Sequence, residues 1–466
     1  MNIQGFEKVI SEIRQCFHSS NDALDKEFAI VKLLQRHCCD LVQYALEEMD
    51  NELMDTLTKQ GCSVERKDER TIQFMFGCVK FKRRLFHRGE NSFYALDWVL
   101  GIFPNKNYSP LFCEKAVTLT TQMPYRAAAE AIQSLTPIQI TASSLWRLVQ
   151  STDGLLKELD DYEERKKHEV PPVKKAVKTL FIEGDGLDLF MQNKTRKTLH
   201  HFMIHEGVRD VTKTKRSCVN AKHFSDFSRK KAFEKTLSYI HDHYDLKESI
   251  VITNSDGGVG YKFPVFFELA LGAKQHEHFV DMYHVNRKLL ERMYFCKELI
   301  PKMKEAIHEW DKDKRKLVLD TMEAIALNEE NEELACVYIE EKRLLKNYLN
   351  RNWNFVKPYE KRNIPFEKKG IGVMESNHRR RSYRMKRQGR TWKKDGGNAM
   401  AHIIDSVQNN TLKTVYQFGW RKEKLDQLMK EKDFTQELRK LLIDKHTMHV
   451  GVKKGSISHP DVKKIL

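Results

Sequence analysis

No apolar run approaches the roughly 20 residues needed to cross a bilayer as a helix, and the opening Met-Asn-Ile-Gln-Gly-Phe-Glu-Lys lacks the basic-then-apolar order of a secretory signal. A soluble, intracellular protein without a membrane partner is the expectation. Cysteines at metal-ligand spacing are missing too. The nine cysteines (16, 38, 39, 62, 78, 113, 218, 296 and 336) include no Cys-x-x-Cys, which speaks for reduced thiols and against structural zinc. Glycine (21) and proline (11) are sparse, and 40% hydrophobic residues is enough for real cores, so a disordered chain is excluded. Acid is in deficit: 81 Lys and Arg stand against 65 Asp and Glu, a formal charge of +16, which bears on partners and not on fold. The 466 residues allow two to four domains.

The basic excess is densest in residues 372–394. A single acid, Glu375, precedes Arg379, Arg380, Arg381, Arg384, Lys386, Arg387, Arg390, Lys393 and Lys394, with no other acid among them. On a helix these charges point in all directions, leaving no apolar stripe to face a core. A polyanion satisfies them: guanidinium forks match phosphate oxygens, and each contact releases condensed counterions. A solvated basic helix is the bland alternative.

Along the chain, residues 1–62 are helical in pattern, with Leu33, Leu34, Leu41, Val42, Ala45, Leu46, Met49, Leu53 and Leu57 at three- and four-residue steps. Residues 63–105 switch to a period of two around Gly77 and predict a small β segment. Its Lys80, Lys82, Arg83, Arg84 and Arg88 either touch phosphates or blunt a sheet edge. Residues 106–160 have helix-turn-helix character, with Thr141 or Ser143 capping a second helix anchored by Trp146; plain helical packing is the alternative. The charged run ending in Pro171-Pro172 reads as a linker over 161–176.

After it, three strands, a helix at 230–243, a strand at 249–254, another helix and a strand at 276–280 predict a mixed sheet covered by helices in 177–299. An all-helical insertion follows in 300–365, then 366–410 with Glu375, and a helical, basic tail in 411–466.

Two acids sit where apolar strands run into glycines: Asp185 in Phe181-Ile-Glu-Gly-Asp-Gly-Leu187 and Asp256 in Val251-Ile-Thr-Asn-Ser-Asp-Gly-Gly258. A buried strand fixes a carboxylate, and flanking glycines leave room for a ligand. An isolated Asp-Gly is usually a turn. With Glu375, the pair forms a set of three carboxylates of the kind that holds two Mg²⁺ (or Mn²⁺) ions for phosphodiester chemistry. Glu183 shares a strand face with Asp185 and is a competing acid; Asp188 lies on the other face.

The Gly-Asp-Gly strand, the Ser-Asp-Gly-Gly turn, Asp281-Met-Tyr-His284 and the run from Gly372 to Trp392 together resemble the ISLre-type transposases of bacterial insertion sequences, which are similar to the Mutator-like group. The resemblance implies an α/β, multi-domain α+β architecture: a ribonuclease-H-like catalytic domain interrupted by a helical insertion, with an N-terminal helical and β DNA-binding region. It assigns Asp185, Asp256 and Glu375 as catalytic, metal-holding acids. Arg379, Arg380, Arg381, Arg384, Lys386, Arg387 and Arg390 are expected on DNA. Asp281, His284 and Trp392 are expected to position substrate, although a histidine opening a helix also serves as a cap, and Trp392 and Tyr383 pack as readily as they stack on bases.

The implied activity is end binding, strand cleavage and transfer of 3′ ends into target DNA, by a homodimer or larger assembly in the bacterial cytoplasm, at the nucleoid when bound. A non-catalytic regulator derived from such an enzyme and a structure-selective nuclease are the alternatives.

Overall fold

The computed structural model describes residues 3–18, 22–89, 91–101, 106–169, 171–212, 215–258, 260–365, 370–387 and 389–430. They divide between two compact units, one made of the described residues within 1–117, 125–148 and 413–430, the other of those within 118–124 and 149–412. The architecture is mixed α/β, as expected.

In the first unit, α1 (Ile3–His18) lies on the long α2 (Ala23–Thr58), tied to it by Glu12, which accepts from Arg36 and contacts His37. Asp22 caps α2 by accepting the Leu24 amide at 2.9 Å. The period-two segment forms β1 (Ser63–Phe74), β2 (Gly77–Arg88) and β3 (Asn91–Phe93), an antiparallel sheet. Its inward residues Ile72, Val79, Phe81 and Phe86 pack on Leu46, Leu53 and Leu57 of α2. Gly77 has φ +154°, and a Cβ there would lie 2.5 Å from the Cys39 sulfur, so the close strand-helix approach requires glycine. Arg83 and Arg84 are engaged within the unit by Asp97 and Asp50.

Short α3 (Ala95–Leu100) precedes α4 (Pro110–Thr120), α5 (Tyr125–Leu135) and α6 (Ala142–Glu169). The Thr141 hydroxyl accepts the Ser144 amide at 3.1 Å and opens α6. Trp146 is not the anchor of that helix: Leu145 and Val149, one turn apart, are buried, whereas Trp146 points about 100° away and is 48% exposed. The linker expected over 161–176 is helical to Glu169, because the run is rich in good helix formers and in pairs such as Glu164 with Lys167, 2.7 Å apart. Pro171 and Pro172 mark where the helix can no longer continue.

The second unit is built on β4 (Lys175–Ala176), β5 (Thr179–Phe190), β6 (Arg196–His205), β7 (Val208–Asp210), β8 (Arg216–Cys218), β9 (Lys222–Asp226), α7 (Arg229–His243), β10 (Tyr244–Asp245), β11 (Ile250–Ser255), α8 (Phe263–Leu269) and β12 (Gln275–Val280). The main sheet runs β12-β11-β5-β6-β9. β6 is antiparallel to both β5 and β9, whereas β11 is parallel to both β5 and β12. Every residue of β11 is buried, as a parallel strand covered on both faces must be. Leu180, Ile182, Phe202 and Ile204 meet α7 and α8 on one face; Phe181, Ile252 and Phe279 meet Tyr359 on the other.

After β12 the chain is helical from Met282, earlier than the 300–365 expected for the insertion. α9 (Met282–Arg292), α10 (Ile300–His308), α11 (Lys312–Leu327) and α12 (Glu332–Asn352) enclose a core of Met303, Ile307, Met322, Leu345, Leu349 and Trp353. The chain then forms α13 (Met374–Met385), α14 (Lys394–Gln408) and α15 (Leu412–Lys430); the part of the expected tail beyond 430 lies outside the described residues. Among the described residues, no helix is long and apolar enough to cross a membrane.

Candidate carboxylate site and basic groove

Strand register lines the acids up. Ser255 of β11 pairs with Gly184 of β5 on one side and Val280 of β12 on the other, and the next residue on each strand is acidic: Asp256, Asp185 and Asp281. Neighbouring strands lie about 4.8 Å apart, so these positions stand side by side. β11 and β12 end there while β5 continues to Phe190. Asp185 accepts the Gly186 amide, Asp256 the Gly258 amide at 2.8 Å and Asp281 the Tyr283 amide at 2.9 Å, capping α9. A Cβ on Gly258 would come within 2.8 Å of the Asp256 carboxylate, which would have to shift to admit it.

Burial, reinforced by Asp256 and Asp281, pushes the Asp185 carboxyl up to about 6, against the Gly186 amide and His284. A buried acid raised further by acidic neighbours is short of positive charge, and a divalent cation supplies it. In that respect the donor set fits hard cations. Among the described residues, no three His, Cys, Asp or Glu side chains stand close enough together to hold a metal ion, so the acids are aligned without being closed around a common point.

The helix that carries Glu375 is anchored on β5. Glu183, 1% exposed, turns its carboxylate to the start of α13 and accepts the amides of Gly372 (2.7 Å), Val373 (3.3 Å) and Met374 (2.7 Å). An anion at a helix N-terminus satisfies amides without intrahelical partners and meets the positive end of the dipole. Burial pushes Glu183 up to about 7, opposed by those three amides and aided by Asp281. Glu183, which from sequence competes with Asp185 as a metal acid, has its carboxylate committed to fixing the helix that carries Glu375. Glu375 itself is exposed on the first turn. One turn later, buried His378 puts its Nε2 3.6 Å from Asp185.

The basic run divides by face, contrary to the absence of an inward stripe expected from its sequence. Met374, His378, Arg381, Arg384 and Met385 are all buried, at helical spacing. Arg381, 0% exposed, is paired with Asp405 and donates to the Ser225 hydroxyl at 2.9 Å. Arg384 donates to the Thr120 carbonyl at 2.6 Å and lies over the Trp392 ring. Trp392 is buried, bonded from its indole nitrogen to the Met385 carbonyl and bridged through its backbone to Met191. Arg381 and Arg384 are therefore structural, not phosphate contacts, and Trp392 packs instead of stacking on a base. A buried carboxylate, Asp405, supplied by α14 from outside the run, is the reason: it makes an arginine usable as a core residue.

Arg379, Arg380, Lys386, Arg387 and Arg390 are exposed. Arg379 and Arg380 line an open groove of about 1210 Å³ together with Arg209, Lys222, Asn220 and the half-exposed Tyr383.

Sequence reasoning missed the cap by Glu183 and the inward position of His378. The three-residue step from Glu375 to His378 was visible in the run, but which face turns inward was not. Two further buried acids also went unremarked: Asp153 of α6 and Asp226 of β9 hold His402 of α14 between them, at 2.6 and 3.3 Å.

Residues 23–423 match the model of an uncharacterised protein family, UPF0236. A protein of this family from Streptococcus gallolyticus, named for the vanSb 3′ region, is 33% identical over 415 residues, covering 88% of each chain. Another, from Caldanaerobacter subterraneus subsp. tengcongensis, is 23% identical and covers 83% of this chain and 77% of its own length; its name joins eleven locus labels. A third from that organism, 24% identical over 82% of this chain, carries four.

Proposed function

We propose, for a chain that belongs to the UPF0236 family, that it is a DNA transposase of the ISLre type, with a ribonuclease-H-like core that cuts DNA at element ends and joins the 3′ ends to target DNA. The observation that carries this is the seating of the start of α13 on β5 by Glu183, which brings the helix of Glu375 to the strand of Asp185, next to Asp256. The order β9-β6-β5-β11-β12, with its antiparallel and parallel pairs, supports a ribonuclease-H-like core, as does the entry of a helical insertion ahead of Glu375. A relative whose single name covers eleven loci is what a sequence that multiplies in its host leaves behind.

Asp185, Asp256 and Glu375 would hold two Mg²⁺ or Mn²⁺ ions. When bound, such ions lower the pKa of an attacking water or 3′ hydroxyl and stabilise the leaving oxygen. The protein's own share is placement. Asp281 holds the start of α9 and adds negative charge beside Asp185, and His284 stands one turn along the same helix. Arg379 and Arg380, with Arg209 and Lys222, give a groove whose positive charge suits a nucleic-acid backbone. A second copy is supported by α2, which leaves Leu24, Phe28, Val31, Leu34, Leu41 and Tyr44 exposed along its length.

The test is cleavage of labelled DNA carrying the sequences that flank the coding region, with Mg²⁺. Asp256→Ala should still bind that DNA and fail to cut it. Unchanged cutting by this variant sinks the proposal, and cutting of branched DNA without strand transfer favours the structure-selective nuclease.

A further inference from the structure

The histidine one turn after Glu375 has no explanation in packing alone. His378 is 6% exposed, yet both of its ring nitrogens are buried without a hydrogen-bond partner. Leaving polar atoms in that condition is unfavourable, so the ring is held there against a penalty. Around it, Arg381 is committed to Asp405, and His201 presents only its ring, edge-on at 4.8 Å, while bonding to His223. Toward the site, Nε2 faces the Asp185 carboxylate at 3.6 Å, beyond hydrogen-bond range but a span that two metal–ligand bonds of roughly 2.1 Å can bridge. Glu375 stands three residues earlier on α13, a neighbouring position on the helix surface, with its side chain exposed.

We infer that His378 is a nitrogen ligand of the cation held at Asp185, so that the site prefers Mn²⁺ to Mg²⁺. The inference rests on the metal-site part of the proposed function. An imidazole changes the chemistry of an otherwise all-oxygen cage. Mg²⁺ favours oxygen and sheds its waters reluctantly, whereas transition ions accept imidazole readily. Glu375 and His378 then form a Glu-x-x-His pair on one helix, of a kind that helical metal proteins use to present oxygen and nitrogen to one ion.

The experiment uses the full-length protein with Mn²⁺ alone, without DNA, and reads electron spin-echo modulation from ¹⁴N together with affinity measured against Mg²⁺ competition. The wild type should bind Mn²⁺ with nitrogen modulation and about tenfold or more above Mg²⁺. His378→Gln should lose the modulation and most of that preference, and His284→Gln should keep both. Mn²⁺ bound through oxygen only, modulation that survives His378→Gln, or modulation lost in His284→Gln would overturn the assignment. Should His378→Gln not fold, the wild-type and His284→Gln spectra still decide it. No Mn²⁺ binding in the wild type would instead defeat the metal site itself.

Discussion

The Glu183 carboxylate accepts the Met374 amide at 2.7 Å and thereby sets the first turn of the helix on which Glu375 stands. One strand thus supplies Asp185 to the candidate site and, two residues earlier, the anion that positions the helix of the third acid.

Glu183→Ala should free three amides at once, that of Met374 among them buried. A loss of about 2–4 kcal/mol is expected, with faster hydrogen exchange over residues 370–385 and DNA cleavage down by at least about 100-fold through misplacement of Glu375. Exchange unchanged in that segment would show that the cap does not hold the helix.

The raised value of Glu183 gives a signed pH dependence. Its carboxyl stands at about 7 in the folded protein, against an ordinary value of 4.5. Between those values the folded chain keeps a proton that the unfolded chain has released, so this group's contribution to stability falls as pH rises through the window and levels off above it. Glu183→Gln should flatten the urea-midpoint profile between about pH 4.5 and 7; an identical slope in the variant would assign it elsewhere.

The arginines of α13 should separate into two classes. Arg381→Ala leaves Asp405 buried without its partner and should cost about 3–5 kcal/mol, read as a lower urea midpoint. Arg379→Ala and Arg380→Ala should leave that midpoint within about 0.5 kcal/mol. Each should instead weaken DNA binding and reduce the slope of log affinity against log salt by about one. A stable, fully folded Arg381→Ala protein would contradict the buried assignment.

His402 is the remaining buried ionic junction. Burial works to lower its value, but hydrogen bonds to Asp153 and Asp226 prevail and hold it above the ordinary 6.5. The stability it contributes is present in full below 6.5 and lost as pH rises through the raised value. Asp153 and Asp226 are depressed: burial acts to raise both, and the bonds from His402 outweigh it. Their contribution is present above the ordinary 3.8 and lost on acidification through the lowered values. His402→Gln should remove the alkaline decline, and thermal melts between pH 6 and 9 would detect it.

Much of the order of elements was legible because hydrophobic period is a local property. The switch from helical steps to alternation near Ser63, the all-apolar Ile250–Ile252 stretch and the helical run before Glu375 all matched observed elements. Local chemistry misled where a distant partner intervened. The stretch 161–176 reads as a charged linker until Lys167, on the part that is helical, meets Asp242 of α7. Trp146 reads as an anchor although its neighbours Leu145 and Val149 fill the inward positions.

From the sequence alone came the residue types: acids at strand ends, a glutamate heading a basic run, and a positive excess suited to a polyanion. Only the tertiary structure decided what each charge does. Burial makes a charge's partner matter more than its own identity: Asp405 turns Arg381 into core, the amides of residues 372–374 turn Glu183 into a cap, and Arg379, meeting no such partner, remains in the groove.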